Sequence, residues 1–225
     1  MLKEKIYFIA AIGTDIGKTY FVESVVKKLK EKNIAVAAIK PIASGFVASD
    51  VNSDTARIRA ALGNEKKLDE ITPWRFEIAA SPHLAALAAL NEEINFDDVV
   101  KFCQNKIDLA RVQGSYLFIE AAGGVMTPIN GDKTFLDLAC ELKIPVILLS
   151  ANYLGSISHS LTAAAILKSS QLEVETIVVN EYCALKSAPS MLPTQQLCCD
   201  LEKFTTIKTV LLDSFLKNFF LAKND

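Results

Sequence analysis

Gly13-Thr14-Asp15-Ile16-Gly17-Lys18-Thr19 decides how this chain is read. It follows the apolar run from Ile6 to Ile12. It opens a segment, 19–32, in which Phe21, Val22, Val25, Val26 and Leu29 recur at helical spacing. Strand, glycine-bearing loop and helix in that order build an anion cradle. Backbone N–H groups converge on one spot, the helix dipole adds positive potential, a lysine reaches the outer phosphates and a hydroxyl can ligate Mg²⁺. The usual spacing puts the first glycine at the position of Ile12, whereas Gly13 comes one residue late. The alternative is an ordinary tight turn, and the flanking strand and helix favour the phosphate loop.

Outward from the loop, 34–39 is apolar and branched enough to be a second buried strand, joined to the first by a right-handed crossover. The alternation then repeats: 96–112 as helix, 116–119 as strand, 134–142 as helix, 144–150 as strand, 157–169 as helix and 174–179 as strand. This predicts an α/β fold with an open, mainly parallel sheet covered by helices on both faces. A single domain over 1–225 is expected, long enough for a sizeable core. Less regular stretches, 41–71 and 80–91, hold predicted helices at Asp54–Leu62 and Pro82–Leu90. Ser81 reads as the cap of the second and Pro82 as its first residue. Beyond Asn180 a helix over 189–201, an edge strand over 206–212 and a terminal helix over 214–221 are expected.

Composition excludes several classes. With 51% hydrophobic and 22% charged residues the chain is packed rather than disordered, and a net charge of −2 gives no footprint for nucleic acid or an anionic membrane. Cys103, Cys140, Cys183, Cys198 and Cys199 contain no C-x-x-C pair, and with only His83 and His159 no zinc set emerges. They read as small apolar residues in a reducing compartment. Lys3 and Lys5 precede an apolar run that ends in the loop, too short for a signal peptide core or a membrane span. A cytoplasmic protein is expected.

In an open α/β sheet the ligand crevice lies beyond the carboxyl ends of the strands. Lys40 follows the second strand, either as a surface lysine or as a movable charge for an anionic substrate or transferring phosphoryl group. Ser44 and Gly45 after it read equally as a turn. Glu120 ends a very apolar strand before Ala121-Ala122-Gly123-Gly124, where a carboxylate beside a phosphate loop holds Mg²⁺ directly or through water, or else forms a structural ion pair. Asp54, in Asn52-Ser53-Asp54, is either a capping residue or part of the site. Asn180 ends a strand with an amide that can donate and accept, as recognition of a purine edge requires. Gly155, Ser156, Ile157 and Ser158 lead into a helix whose free N–H groups suit a carboxylate or phosphate. His159 and His83 come with no acid–base partner and read as packing residues.

Taken together these residues resemble the dethiobiotin synthetases, a P-loop NTPase-like family. Ala11-Ile12-Gly13-Thr14-Asp15-Ile16-Gly17-Lys18-Thr19 aligns with the family loop Gly-Thr-(Asp/Gly)-Thr-(Asp/Glu)-Val-Gly-Lys-Thr, with Ala11 and Ile12 filling the expected glycine position. Lys40-Pro41-Ile42-Ala43-Ser44-Gly45, Asn52-Ser53-Asp54, Ser81-Pro82-His83, Glu120-Ala121-Ala122-Gly123-Gly124, Thr127-Pro128 and Leu154-Gly155-Ser156-Ile157-Ser158-His159 follow in the family's order over 6–180. The resemblance implies an ATP-dependent ligase. In that family 7,8-diaminononanoate takes up CO₂ as a carbamate, ATP phosphorylates the carbamate, and the second amine closes a cyclic urea.

By the same resemblance Gly13, Asp15, Ile16, Gly17, Lys18 and Gly123 would hold ATP phosphates, and Thr19, Asp54 and Glu120 would hold Mg²⁺. Lys40 and Lys18 would neutralise carbamate and developing phosphate charge, Thr14 and Ser44 would position the diamine, and Asn180 would read adenine. It further implies a homodimer, with the substrate carboxylate against the turn from Gly155 to Ser158 of the other copy. Ser158 stands where the family usually has asparagine. The alternatives are a dimerising switch ATPase of the partition or septum-site type and a relative of the cobyrinate-type amidoligases. The first carries a second lysine early in the loop, where this chain has Ala11, Ile12 and Gly13; the second need not keep Lys40 with Ser44.

Overall fold

The computed structural model describes residues 4–181 and 193–219. The first strand, β1 (Ile6–Ala11), feeds the loop and α1 (Lys18–Glu31). After it come β2 (Val36–Ile39), β3 (Ile42–Ser44), α2 (Asp54–Leu62), α3 (Leu68–Ile71), β4 (Trp74–Phe76), α4 (Pro82–Leu90) and α5 (Phe96–Gln113). The second half alternates β5 (Tyr116–Glu120), α6 (Phe135–Leu142), β6 (Val146–Ala151), α7 (Ser156–Ser169), β7 (Val174–Asn180), α8 (Thr194–Thr205), β8 (Thr209–Leu211) and α9 (Leu212–Asn218).

Six strands form a parallel sheet in the order β2-β5-β1-β6-β7-β8. Its strands are apolar on both faces because both faces are covered. Tyr7, Ile9, Phe118, Ile147, Leu149 and Val178 pack under Phe21, Val22, Val25, Val26 and Leu29 of α1 and Ile58 of α2. The alternate residues Phe8, Ala10, Leu117, Ile119, Leu148 and Val179 pack under Val99, Cys103 and Ile107 of α5, Leu138 of α6, Leu167 of α7 and Leu201 of α8. This period of two, hidden inside runs that are apolar throughout, yields the expected doubly covered sheet. No helix among the described residues is long and apolar enough to cross a membrane.

Several boundaries differ from expectation for physical reasons. The strand read from residue 144 begins at Val146, because Pro145 lacks an N–H and offers only its carbonyl, to Phe8 N at 2.9 Å. The strand read from residue 34 begins at Val36, since Ile34 N still caps α1 through Leu29 O at 2.9 Å. The stretch 41–71 is more ordered than its sequence suggests. It holds β3 and α3, and β3 pairs in parallel with β4 as a small second sheet whose three-residue strands are too short to show a period. Ser81 stands at the N-cap of α4 without a capping hydrogen bond, its Oγ pairing instead with His83 Nδ1 at 3.0 Å. The edge strand appears as β8 beside β7. Of the helices expected near the C-terminus, α8 runs later than 189–201 and α9 starts at Leu212. Residues 189–192 and 220–221 of those expectations, and Cys183, lie outside the described residues.

Because every strand of the main sheet runs the same way, the residues following β1, β2, β5 and β7 gather at one edge.

Candidate active site

A cleft of about 510 Å³ opens at that edge, lined by Thr14, Asp15, Gly17, Lys18, Thr19, Tyr20, Lys40, Asp54, Arg57, Glu120, Gly123 and Asn180. Its floor is the loop between β1 and α1. Gly17 caps α1 at φ 100°, a left-handed conformation that glycine adopts without cost. The first intrahelical bond is Phe21 N to Gly17 O at 2.9 Å, so the N–H groups of Lys18, Thr19 and Tyr20 have no partner within the helix. The turn after β5 packs on this loop: a Cβ on Gly124 would stand 3.4 Å from both Cα and N of Gly13, in van der Waals contact with the loop backbone. Val125 N donates to Ala11 O at 3.1 Å and fixes the contact.

The charged groups form one network. Lys18 Nζ donates to Gly13 O at 3.0 Å and Gly123 O at 2.6 Å. Burial, reinforced by the charge of Lys40, lowers its pKa to about 8. Thr19 Oγ1 donates to Glu120 Oε1 at 2.6 Å, and Lys40 Nζ donates to the same oxygen at 2.9 Å and to Asp54 Oδ2. Burial alone would depress Lys40, but Glu120 and then Asp54 outweigh it and hold the ammonium above the usual lysine range. Burial would likewise raise Asp54, and the charge and hydrogen bond of Lys40 carry it below the usual carboxylate range instead.

Glu120 is fully buried, and its Oε2 has no hydrogen-bond partner among the described residues. A buried acceptor left open in this way is explained by a cation or its water. Thr19 hydroxyl, Asp54 and Glu120 are hard oxygen donors that suit Mg²⁺ rather than a thiolate- or imidazole-preferring metal. No group of three or more His, Cys, Asp or Glu side chains able to hold a metal occurs among the described residues.

Ten of the residues singled out from sequence therefore meet in the cleft: Thr14, Asp15, Gly17, Lys18, Thr19, Lys40, Asp54, Glu120, Gly123 and Asn180. Gly13 and Ile16 contribute carbonyls to Lys18 and Asn180 instead of lining it. Ser44 lies in β3 outside the lining, its Oγ buried and without a hydrogen-bond partner among the described residues. Gly155 caps α7 at φ 98°, Ser156 is buried and Ser158 exposed, and none of Gly155, Ser156, Ile157 or Ser158 lines the cleft of this chain. His159 Nδ1 and Tyr153 OH are 2.7 Å apart, away from the network.

Sequence reasoning missed Tyr20 and Arg57. Arg57 Nε and Nη2 donate to Glu23 Oε2 at 2.9 and 2.6 Å, tying α2 to α1. The available signal was spacing, since Arg57 is three residues after Asp54 and Glu23 four after Thr19, each pair on one helix face.

A family model described as an AAA domain matches residues 5–222. An ATP-dependent dethiobiotin synthetase BioD of Caulobacter sp. (strain K31) is 37% identical over 175 residues, covering 77% of this chain and 75% of the relative. The proteins of the same name from Methylobacterium nodulans and Legionella pneumophila (strain Lens) are 37% and 36% identical, covering 81% and 78% of this chain and 83% and 80% of theirs. Among solved structures, chloroplast FtsY from Physcomitrella patens superposes with a TM-score of 0.51 at 10% identity, over 98% of this chain and 66% of that one, a likeness of fold alone. With relatives of this similarity over most of its length, and with the loop, both lysines and both carboxylates meeting in one cleft, the chain belongs to the ATP-dependent dethiobiotin synthetase family.

Proposed function

We propose that the chain closes a cyclic urea on 7,8-diaminononanoate with CO₂, consuming ATP and yielding dethiobiotin, ADP and phosphate. The observation that carries this reading is the convergence of Lys18 and Lys40 beside Glu120 and Asp54 above the phosphate loop. One amine of the diamine adds to CO₂ and loses a proton, giving a carbamate. A carbamate oxygen then attacks the γ-phosphorus and displaces ADP, forming a carbamic-phosphoric anhydride. The second amine attacks the carbonyl carbon and expels phosphate.

No general base of unusual strength is required, because phosphorylation activates the carbamate. The tasks left to the chain are positioning and charge neutralisation. The loop amides and Lys18 grip the triphosphate. Lys40, charged across the whole working range, moves between its carboxylates and the transferring group. Thr14, which lines the cleft, orients the diamine. Thr19, Asp54 and Glu120 would hold Mg²⁺, which supplies neutralisation of the phosphate oxygens when bound.

The working unit proposed is a homodimer. Gly155, Ser156, Ile157 and Ser158 open a helix in which the Ser156 N–H is taken by Tyr153 O while those of Ile157 and Ser158 have no partner within the helix, and none of the four lines the cleft of its own chain, which supports their serving a second copy. Leu84, Leu87 and Leu90 expose an apolar stripe on α4, as an association surface would.

The reaction path has an isotopic consequence. With ¹⁸O-labelled CO₂, one labelled oxygen per turnover is expected in the released phosphate, read by mass spectrometry. Unlabelled phosphate with labelled dethiobiotin would rule out transfer of the phosphoryl group to the carbamate.

A further inference from the structure

Asn180 ends β7 and pairs in register with Ala151 of β6, so the sheet fixes its backbone. Its side chain is buried, and Nδ2 donates to Ile16 O at 2.9 Å, across 164 residues of sequence. The same nitrogen fills the space beside the next residue that a side chain would need: a Cβ built on Gly17 would lie 2.3 Å from Asn180 Nδ2 and 3.3 Å from its Cγ. The amide thus holds the peptide plane between Ile16 and Gly17 from one side. A trans peptide is rigid, so holding the Ile16 carbonyl also sets the direction of the Gly17 N–H, one of the amides of the phosphate cradle. It likewise secures the left-handed turn at Gly17 from which α1 and its unpaired N–H groups begin.

We propose that Asn180 is a positioning residue for the phosphate loop, so that the end of β7 sets the grip on the triphosphate independently of any contact with the base. The proposal rests on the nucleotide site described above and adds to it a link that recognition of adenine does not require. A residue that reads only the base affects binding of ATP and leaves a base-free polyphosphate untouched. A residue that holds the loop affects both equally.

The test compares Asn180→Ala and the near-isosteric Asn180→Leu, which removes the donor without adding a charge, with the unsubstituted protein. Binding of Mg-tripolyphosphate and of MgATP is measured by calorimetry, and amide hydrogen exchange over 13–19 is followed in the ligand-free proteins. Loss of one buried hydrogen bond is expected to weaken both ligands about fivefold, with a similar factor for each. Exchange over 13–19 should quicken while exchange over α5 stays unchanged, which reports an intact fold. A loss confined to ATP, with tripolyphosphate binding and loop exchange unaltered in both variants, would overturn the proposal. Failure of the unsubstituted protein to bind either ligand would remove the nucleotide site itself, and binding of MgATP without tripolyphosphate would overturn the loop's base-independent grip.

Discussion

Lys40→Ala is expected to lower the rate of dethiobiotin formation by about 10²–10³-fold, the usual effect of removing one preorganised donor from a site of developing charge. Titration of the variant should still show ATP binding, because the loop amides and Lys18 remain. Lys40 follows β2, its Nζ held by Glu120 at 2.9 Å and by Asp54 on α2, and it enters the cleft from the side opposite Asn180's strand. Equal loss of binding and turnover would reassign Lys40 to the nucleotide.

The substitution also leaves the fully buried Glu120 without its cation. At neutral pH this should cost about 3 kcal/mol of stability. The pH window follows from the shifts. Asp54 is lowered, so its contribution is present above the ordinary carboxylate pKa and is lost as pH falls through the lowered value. Lys40 is raised, so its contribution is full below the ordinary lysine pKa and is lost only as pH rises through the raised value. The stability gap between native protein and variant, measured by urea unfolding, should therefore be widest between these limits and narrow in acid.

The second large effect concerns Lys18. Its pKa of about 8 in the free protein means that the ammonium begins to lose its proton in mildly alkaline solution. Bound phosphates favour the charged form. Affinity for ATP should therefore be flat below about pH 7 and fall towards tenfold per unit above about pH 8, with one proton taken up per nucleotide bound. Calorimetry in buffers of different ionisation enthalpy reads that uptake. Lys18→Met should weaken ATP by about 10–100-fold, the worth of a hydrogen bond to a charged group, and flatten the profile. A slope that persists in the variant would assign the titration to another group.

Much of this site was legible because a parallel sheet places every strand end at one edge. Lys40, Glu120 and Asn180 could be named from the apolar runs that precede them. What lies between strands was harder. Asn52-Ser53-Asp54 reads as an ordinary cap, and only the structure separates the roles: Ser53 Oγ accepts from Ala56 N at 3.4 Å as the cap, which leaves Asp54 for Lys40. The strands β3 and β4 were invisible because each has three residues and their pairing is long-range. Asn180 could be placed near a base by position, while its bond to Ile16 depends on a turn that no local pattern encodes. Arg57 was overlooked because helical spacing places it beside Asp54 and Glu23 beside Thr19 but does not pair two residues on different helices.

The most direct test of the central claim is a single assay. Purified protein is incubated with 7,8-diaminononanoate, bicarbonate and MgATP, and both ADP and dethiobiotin are quantified. ADP release is expected to depend on the diamine, with one dethiobiotin formed per ADP. ADP release that ignores the diamine and yields no dethiobiotin would contradict that claim and favour a nucleotide-driven switch.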